Sequence, residues 1–151
     1  MLSVAEAAKM AYEAVEARVG GDLEKSSALM AMLHADSDLP RMYAVCCSIA
    51  HIGRHALLWL FGERAPDLER GEQWAIEQIE PGVLDADPVQ AFAVRFLVAY
   101  CNEDQATDEA LFMTAVEGGV EHLVACVARL VTDVAALYVA VLRQQVGEGP
   151  G

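Results

Sequence analysis

Apolar residues recur along this chain at three- and four-residue steps, and almost nowhere alternate with period two. From Ser3 to Val19 the stripe is Val4, Ala8, Ala11, Tyr12, Val15 and Val19, with Glu6, Lys9, Glu13 and Glu16 mostly off it; this spacing predicts an amphipathic helix. Gly20-Gly21 closes it, because glycine accepts the left-handed conformation that ends a helix. Asp22 is placed to cap a second helix with Leu23, Met30 and Leu33 inward. Ser37 or Asp38 followed by Pro40 starts a third, since proline in a first turn loses no hydrogen bond. That helix, roughly Leu39 to Phe61, is apolar nearly all round and is expected to be buried.

Beyond Pro66 the pattern predicts a shorter helix through Trp74, Ala75 and Ile79, ended by a turn at Glu80-Pro81-Gly82. Asp87-Pro88-Val89-Gln90 signals the next start, with Phe92, Phe96 and Tyr100 on one face. Thr107-Asp108-Glu109 opens a helix that stops at Gly118-Gly119. The last helix, about Val120 to Val146, carries a wide apolar stripe through Leu123, Val127, Leu130, Val134, Leu137, Val141 and Leu142. No Asn-Gly or Asp-Gly hairpin signal occurs. The expected fold is all-α: one domain over residues 1–146, a bundle of six or seven helices with a long buried third helix and a long C-terminal helix. Residues 147–151 are expected to form a flexible tail.

Composition adjusts this picture modestly. At 151 residues the chain has the size of one domain and the apolar content for a real core. A net charge of −13 argues against nucleic acid and against anionic lipid as partners. The charge is uneven: residues 41–70 carry three acids and four bases, whereas 71–110 carry nine acids and one base. The start of the chain lacks the pattern of a secretory leader. The apolar run from Val120 to Leu142 is interrupted by Glu121, His122, Arg129 and Asp133, which speaks against a membrane span. Cys46, Cys47, Cys101 and Cys126 lie inside apolar runs rather than at disulfide-framework spacing. A cytoplasmic protein with reduced thiols is the expectation.

Chemistry concentrates on the third helix. His51 and His55, four apart, point to one face, and Arg41 and Ser48 fall in the same sector, giving a ligand-binding strip of Arg41, Ser48, His51 and His55. Two histidines one turn apart are also a partial metal chelate. A third ligand would have to come from His122, Glu63, Cys126 or Cys101, and neither the H-E-x-x-H nor the paired Glu-x-x-His pattern is present. Cys47 reaches His51 on the same helix, but a thiol in an apolar helix usually acts as a small hydrophobe. No set of catalytic residues emerges, and no cofactor is expected.

Two surfaces complete the reading. On the last helix Ala125, Ala128, Thr132, Ala136 and Ala140 are small enough for another helix to approach, which suggests a homo-oligomer. The acidic 71–110 region would attract a basic protein partner. The leading expectation is therefore a non-enzymatic interaction or regulatory domain that self-associates. The rival is a small-molecule or metal-binding bundle built on the His51/His55 strip.

Overall fold

The computed structural model describes residues 1–75 and 87–147. Among these residues six α-helices follow one another: α1 (Val4–Val19), α2 (Leu23–Asp36), α3 (Leu39–Phe61), α4 (Pro88–Cys101), α5 (Gln105–Glu117) and α6 (Val120–Gly147). Short 3-10 turns at Gly62–Arg64 and Leu68–Arg70 follow α3, and the described residues contain no strand. The all-α bundle with its long third and last helices is the architecture the hydrophobic spacing predicts.

Local chemistry explains most of the boundaries. Ser3 and Glu6 form a reciprocal capping box at the start of α1. Asp22, Asp38, Asp87 and Asp104 each accept an N–H of the first turn of α2, α3, α4 and α5. Pro40 and Pro88 occupy first-turn positions. The chain reverses after α1 at Gly21, whose φ of +82° suits glycine and few other residues. The start of α5 differs by two residues from the expected one, because Asp104 binds both the N–H and the hydroxyl of Thr107.

α3 and α6 form the centre. They cross each other, and α1 and α4 pack against both; α2 packs chiefly on α1, and α5 covers α4 and part of α6. Ile49, Leu57, Phe96, Leu97, Leu130 and Val134 meet in a continuous core. The crossing of α3 is close at Gly53: a Cβ there would lie 2.9 Å from a methyl of Leu97 and 3.0 Å from one of Val134. Alanine plays the same part between α1 and α2. Ala7, Ala11 and Ala14 are buried while Val4 and Tyr12 are exposed, so the inward face of α1 is rotated towards its alanines. The Ser26 hydroxyl reaches the Ala14 carbonyl across that contact at 2.8 Å. Leu23, expected inward on α2, is exposed, whereas Met30 and Leu33 are buried.

The segment after α3 corrects one expectation at two residues. Trp74 and Ala75 are not helical, and Ile79 and the Glu80-Pro81-Gly82 turn lie outside the described residues, as do residues 148–151 of the expected tail. The reason is a competing set of hydrogen bonds. Trp74 donates its N–H to the Asn102 side-chain carbonyl at 2.7 Å and accepts the Asn102 amide at 3.0 Å. Its indole is buried, edge-on to Phe61. With both backbone groups held by the end of α4, Trp74 has no call on helical partners.

Among the described residues two helical stretches, Leu39–Arg64 and Val120–Gly147, are long and apolar enough to cross a membrane, with 39% of the most apolar window buried in each. Within the bundle those apolar faces pack against each other and against α1 and α4.

Candidate functional site

α3 buries one face, through Met42, Val45, Ile49, Gly53 and Leu57, rather than its whole circumference; the opposite strip, with His51 and His55 exposed, forms the floor of an open cleft of about 650 Å³. Cys47, Ser48, His51, Ile52 and His55 come from α3; Ala8 and Tyr12 of α1, Tyr100 of α4 and Tyr138 of α6 form the walls. The four-residue step explains the floor. Tyr43, Cys47, His51 and His55 succeed one another along a single row, so each side chain reaches the next turn.

A polar chain runs along that row. The His51 and His55 Nε2 atoms lie 3.1 Å apart with the rings edge to face, and His51 Nδ1 lies 3.2 Å from the Tyr100 hydroxyl. The His–His contact needs a donor on one ring and a lone pair on the other, so at least one imidazole is neutral. Burial, followed by the neighbouring His55 and Arg54, holds the His51 pKa below that of a free imidazole. Burial above all raises the Tyr100 phenol, which stays protonated and able to donate.

Past Cys47 and Tyr100 a second cleft opens, of about 410 Å³, lined by Tyr43, Arg54, Glu103, Gln105 and Asp108. Tyr43 donates its phenol to the Asp108 carboxylate. Asp108 is only 3% exposed, so it is a core acid rather than a surface charge. Burial raises its pKa, and the Tyr43 bond partly offsets that rise. Burial also raises the Cys47 thiol, the opposite of what a nucleophilic cysteine needs.

The predicted residues separate into two groups. Ser48, His51 and His55 line the main cleft, with the Ser48 hydroxyl donating to the Ala44 carbonyl at 3.0 Å. Arg41 is placed elsewhere. Its Nε donates to the Leu2 carbonyl at 2.7 Å and its Nη1 pairs with Asp38 at 2.8 Å, so it ties the N-terminal segment to the start of α3. The proposed extra ligands are likewise dispersed: His122 lies beside Cys126 on α6, and Cys101 is buried in α4. Among the described residues no group of three His, Cys, Asp or Glu is arranged to hold a metal ion. A metal at His51 and His55 would therefore have two protein ligands of those types, fewer than the three or four usual for zinc.

No family model, curated protein or solved structure matches the chain.

Spacing within α3 pointed to the histidines but not to their partners. Tyr100 lies 49 residues from His51, and Asp108 lies 65 from Tyr43. Tyr12 reads as part of the apolar stripe of α1, and no local signal marks Tyr138. The repeated four-residue step Tyr43, Cys47, His51, His55 was the available signal that one polar row runs the length of the helix.

The other predicted surface is on α6. Ala125, Ala128 and Ala136 are exposed, and Thr132 and Ala140 are half-buried. Val120, Val124 and Val146 on the same helix are also exposed. In the acidic region, Asp87 and Asp104 serve as caps, Glu103 pairs with Arg54 at 3.5 Å, and Asp108 is buried. Glu77, Glu80 and Asp85 lie outside the described residues.

Proposed function

We propose that this protein is a non-enzymatic small-molecule-binding helical bundle, with the cleft on the outer face of α3 as its ligand site. The observation that carries the reading is a linked array of His55, His51 and Tyr100 inside an otherwise apolar and aromatic cleft. Ligand sites combine an apolar lining with a few convergent polar groups, in volumes of roughly 300–1,000 Å³. The four free cysteines suit a reducing, cytoplasmic setting.

Thermal unfolding against a fragment set tests this. A ligand at about 100 times its Kd adds roughly 2.7 kcal/mol, which corresponds to about 5–10 °C in Tm for a chain of this size. The stabilisation should vanish in Ile52→Trp, which fills the cleft, and in Ser48→Phe, which fills it from the half-exposed side. Equal stabilisation of all three proteins would contradict the reading.

A second reading, self-association through α6, is favoured by the exposed alanines and valines of that helix. Sedimentation should then show a dimer that Ala128→Arg dissociates. A monomer at every accessible concentration would dismiss it. A basic protein partner at the acidic region remains a proposal of the same kind, supported by charge alone.

A further inference from the structure

In a chain whose residues are 22% charged, no Asp, Glu, Lys or Arg among the described residues lines the cleft on α3. α3 itself has no acid over its 23 residues. In the cleft past Tyr100 the charged groups are paired: Arg54 with Glu103, and Asp108 accepts from Tyr43. The polar groups that do face the cleft are imidazoles and phenols, which both donate and accept hydrogen bonds without formal charge. Rings from three different helices, Tyr12, Tyr100 and Tyr138, stand around the histidines. Beyond Tyr12, Ile52 and Tyr138 the cleft continues into a mainly apolar one of about 380 Å³, lined by Val15, Val19 and Leu142, with Glu16 as its one charged residue.

We infer that the site selects an uncharged aromatic ligand bearing one hydroxyl or carbonyl group, which bonds at His51, His55 and Tyr100 while its apolar body extends towards Val15 and Leu142. This rests on the cleft being the ligand site and adds the class of molecule it takes. The physical ground is desolvation. A charged group entering this cleft gives up water and meets no opposite formal charge on its lining, the neighbouring Arg54 being paired with Glu103, whereas a hydroxyl exchanges water for an imidazole or phenol at little cost. An aromatic body gains offset or edge contacts with the tyrosine rings. The lowered basicity of His51 favours its uncharged form at neutral pH, so it does not supply the missing cation.

Calorimetry with a matched set of probes tests the inference: a naphthol, the corresponding naphthoate, the corresponding naphthylmethylammonium ion and methylnaphthalene. Naphthol should bind at least about tenfold more tightly than either ion. Tyr100→Phe, a substitution that preserves the ring, should reduce the preference for naphthol over methylnaphthalene by about three- to tenfold. Ile52→Trp and Ser48→Phe should each abolish binding of naphthol. Tightest binding of the ammonium ion would overturn the inference in favour of a cation held by aromatic faces, and tightest binding of the naphthoate would overturn it in favour of an anion site. In both cases the cleft would remain the ligand site. If no probe bound, or naphthol bound both filled variants as well as the wild type, the cleft reading itself would fall.

Discussion

α3 and α6 are built alike on the inside and differently on the outside. Both are long and apolar, and each leaves a strip of its surface uncovered by the bundle. The uncovered strip of α3 lies in a trough, because Tyr12, Tyr100 and Tyr138 rise on either side of it, and it carries two histidines linked to a phenol. That of α6 carries alanine, valine and Thr132, whose hydroxyl is returned to the Ala128 carbonyl of its own helix. Hydrophobicity alone therefore does not distinguish the two strips. The strip of α3 has walls and convergent polar groups, while that of α6 is an open face of mostly small side chains bordered by Glu121 and Arg143.

The largest effects should come from the faces the helices share. Ile49 on α3 and Leu130 on α6 are both fully buried, so Ile49→Ala and Leu130→Ala should each cost about 2–5 kcal/mol in urea unfolding. Markedly unequal costs would break the likeness of the two inner faces. Gly53→Ala comes next. Its Cβ would press on Leu97 and Val134, and overpacking of this kind costs about 1–3 kcal/mol. An unchanged midpoint would show that the crossing can open by a few tenths of an ångström.

Tyr43→Phe removes the partner of a buried carboxylate and should also cost about 1–3 kcal/mol near neutral pH. Without that bond the Asp108 pKa rises further, so the loss should shrink on acidification as the carboxyl takes up a proton. Acidification should act oppositely on the histidines. Burial lowers the His34 pKa, and burial with His55 and Arg54 lowers that of His51. The unfolded chain then binds more protons than the folded one below the ordinary value of 6.5. Their contribution to stability is complete above about 6.5 and is lost as pH falls towards 5. A wild-type denaturation midpoint that failed to drop as pH fell from about 6.5 towards 5, or that dropped equally in a His34→Gln, His51→Gln variant, would contradict that assignment. The smallest effect belongs to the outer face of α6: Ala136→Lys should change the stability of the monomer by no more than about 0.5 kcal/mol, and a larger loss would mean that the strip is covered in solution.

Much of this was legible from residue spacing. The cap residues Asp22, Asp38 and Asp87, the two first-turn prolines and the apolar periodicity define four of the six helices nearly to the residue. These are local signals, acting within one turn. The His51/His55 pair was equally legible because both residues belong to one helix. What escaped was tertiary. Asn102 takes both backbone groups of Trp74 and holds that residue out of the helix the local pattern favoured there, and nothing near Trp74 announces it. Arg41 shares the histidines' sector on a helical wheel, yet it stands more than two turns away and turns to Leu2 and Asp38. Tyr100 joins the site only because α4 crosses α3 at His51.

Imidazole-resolved NMR of His51 across pH tests the site most directly, because the account makes that ring one link in a polar array within an apolar cleft. His51 should titrate below 6.5, and both its titration and its ring-nitrogen shifts should move in Tyr100→Phe and again when naphthol is added. A His51 that titrates like a free imidazole, and responds to neither change, would show that the ring points into solvent and that the cleft has no built polar centre.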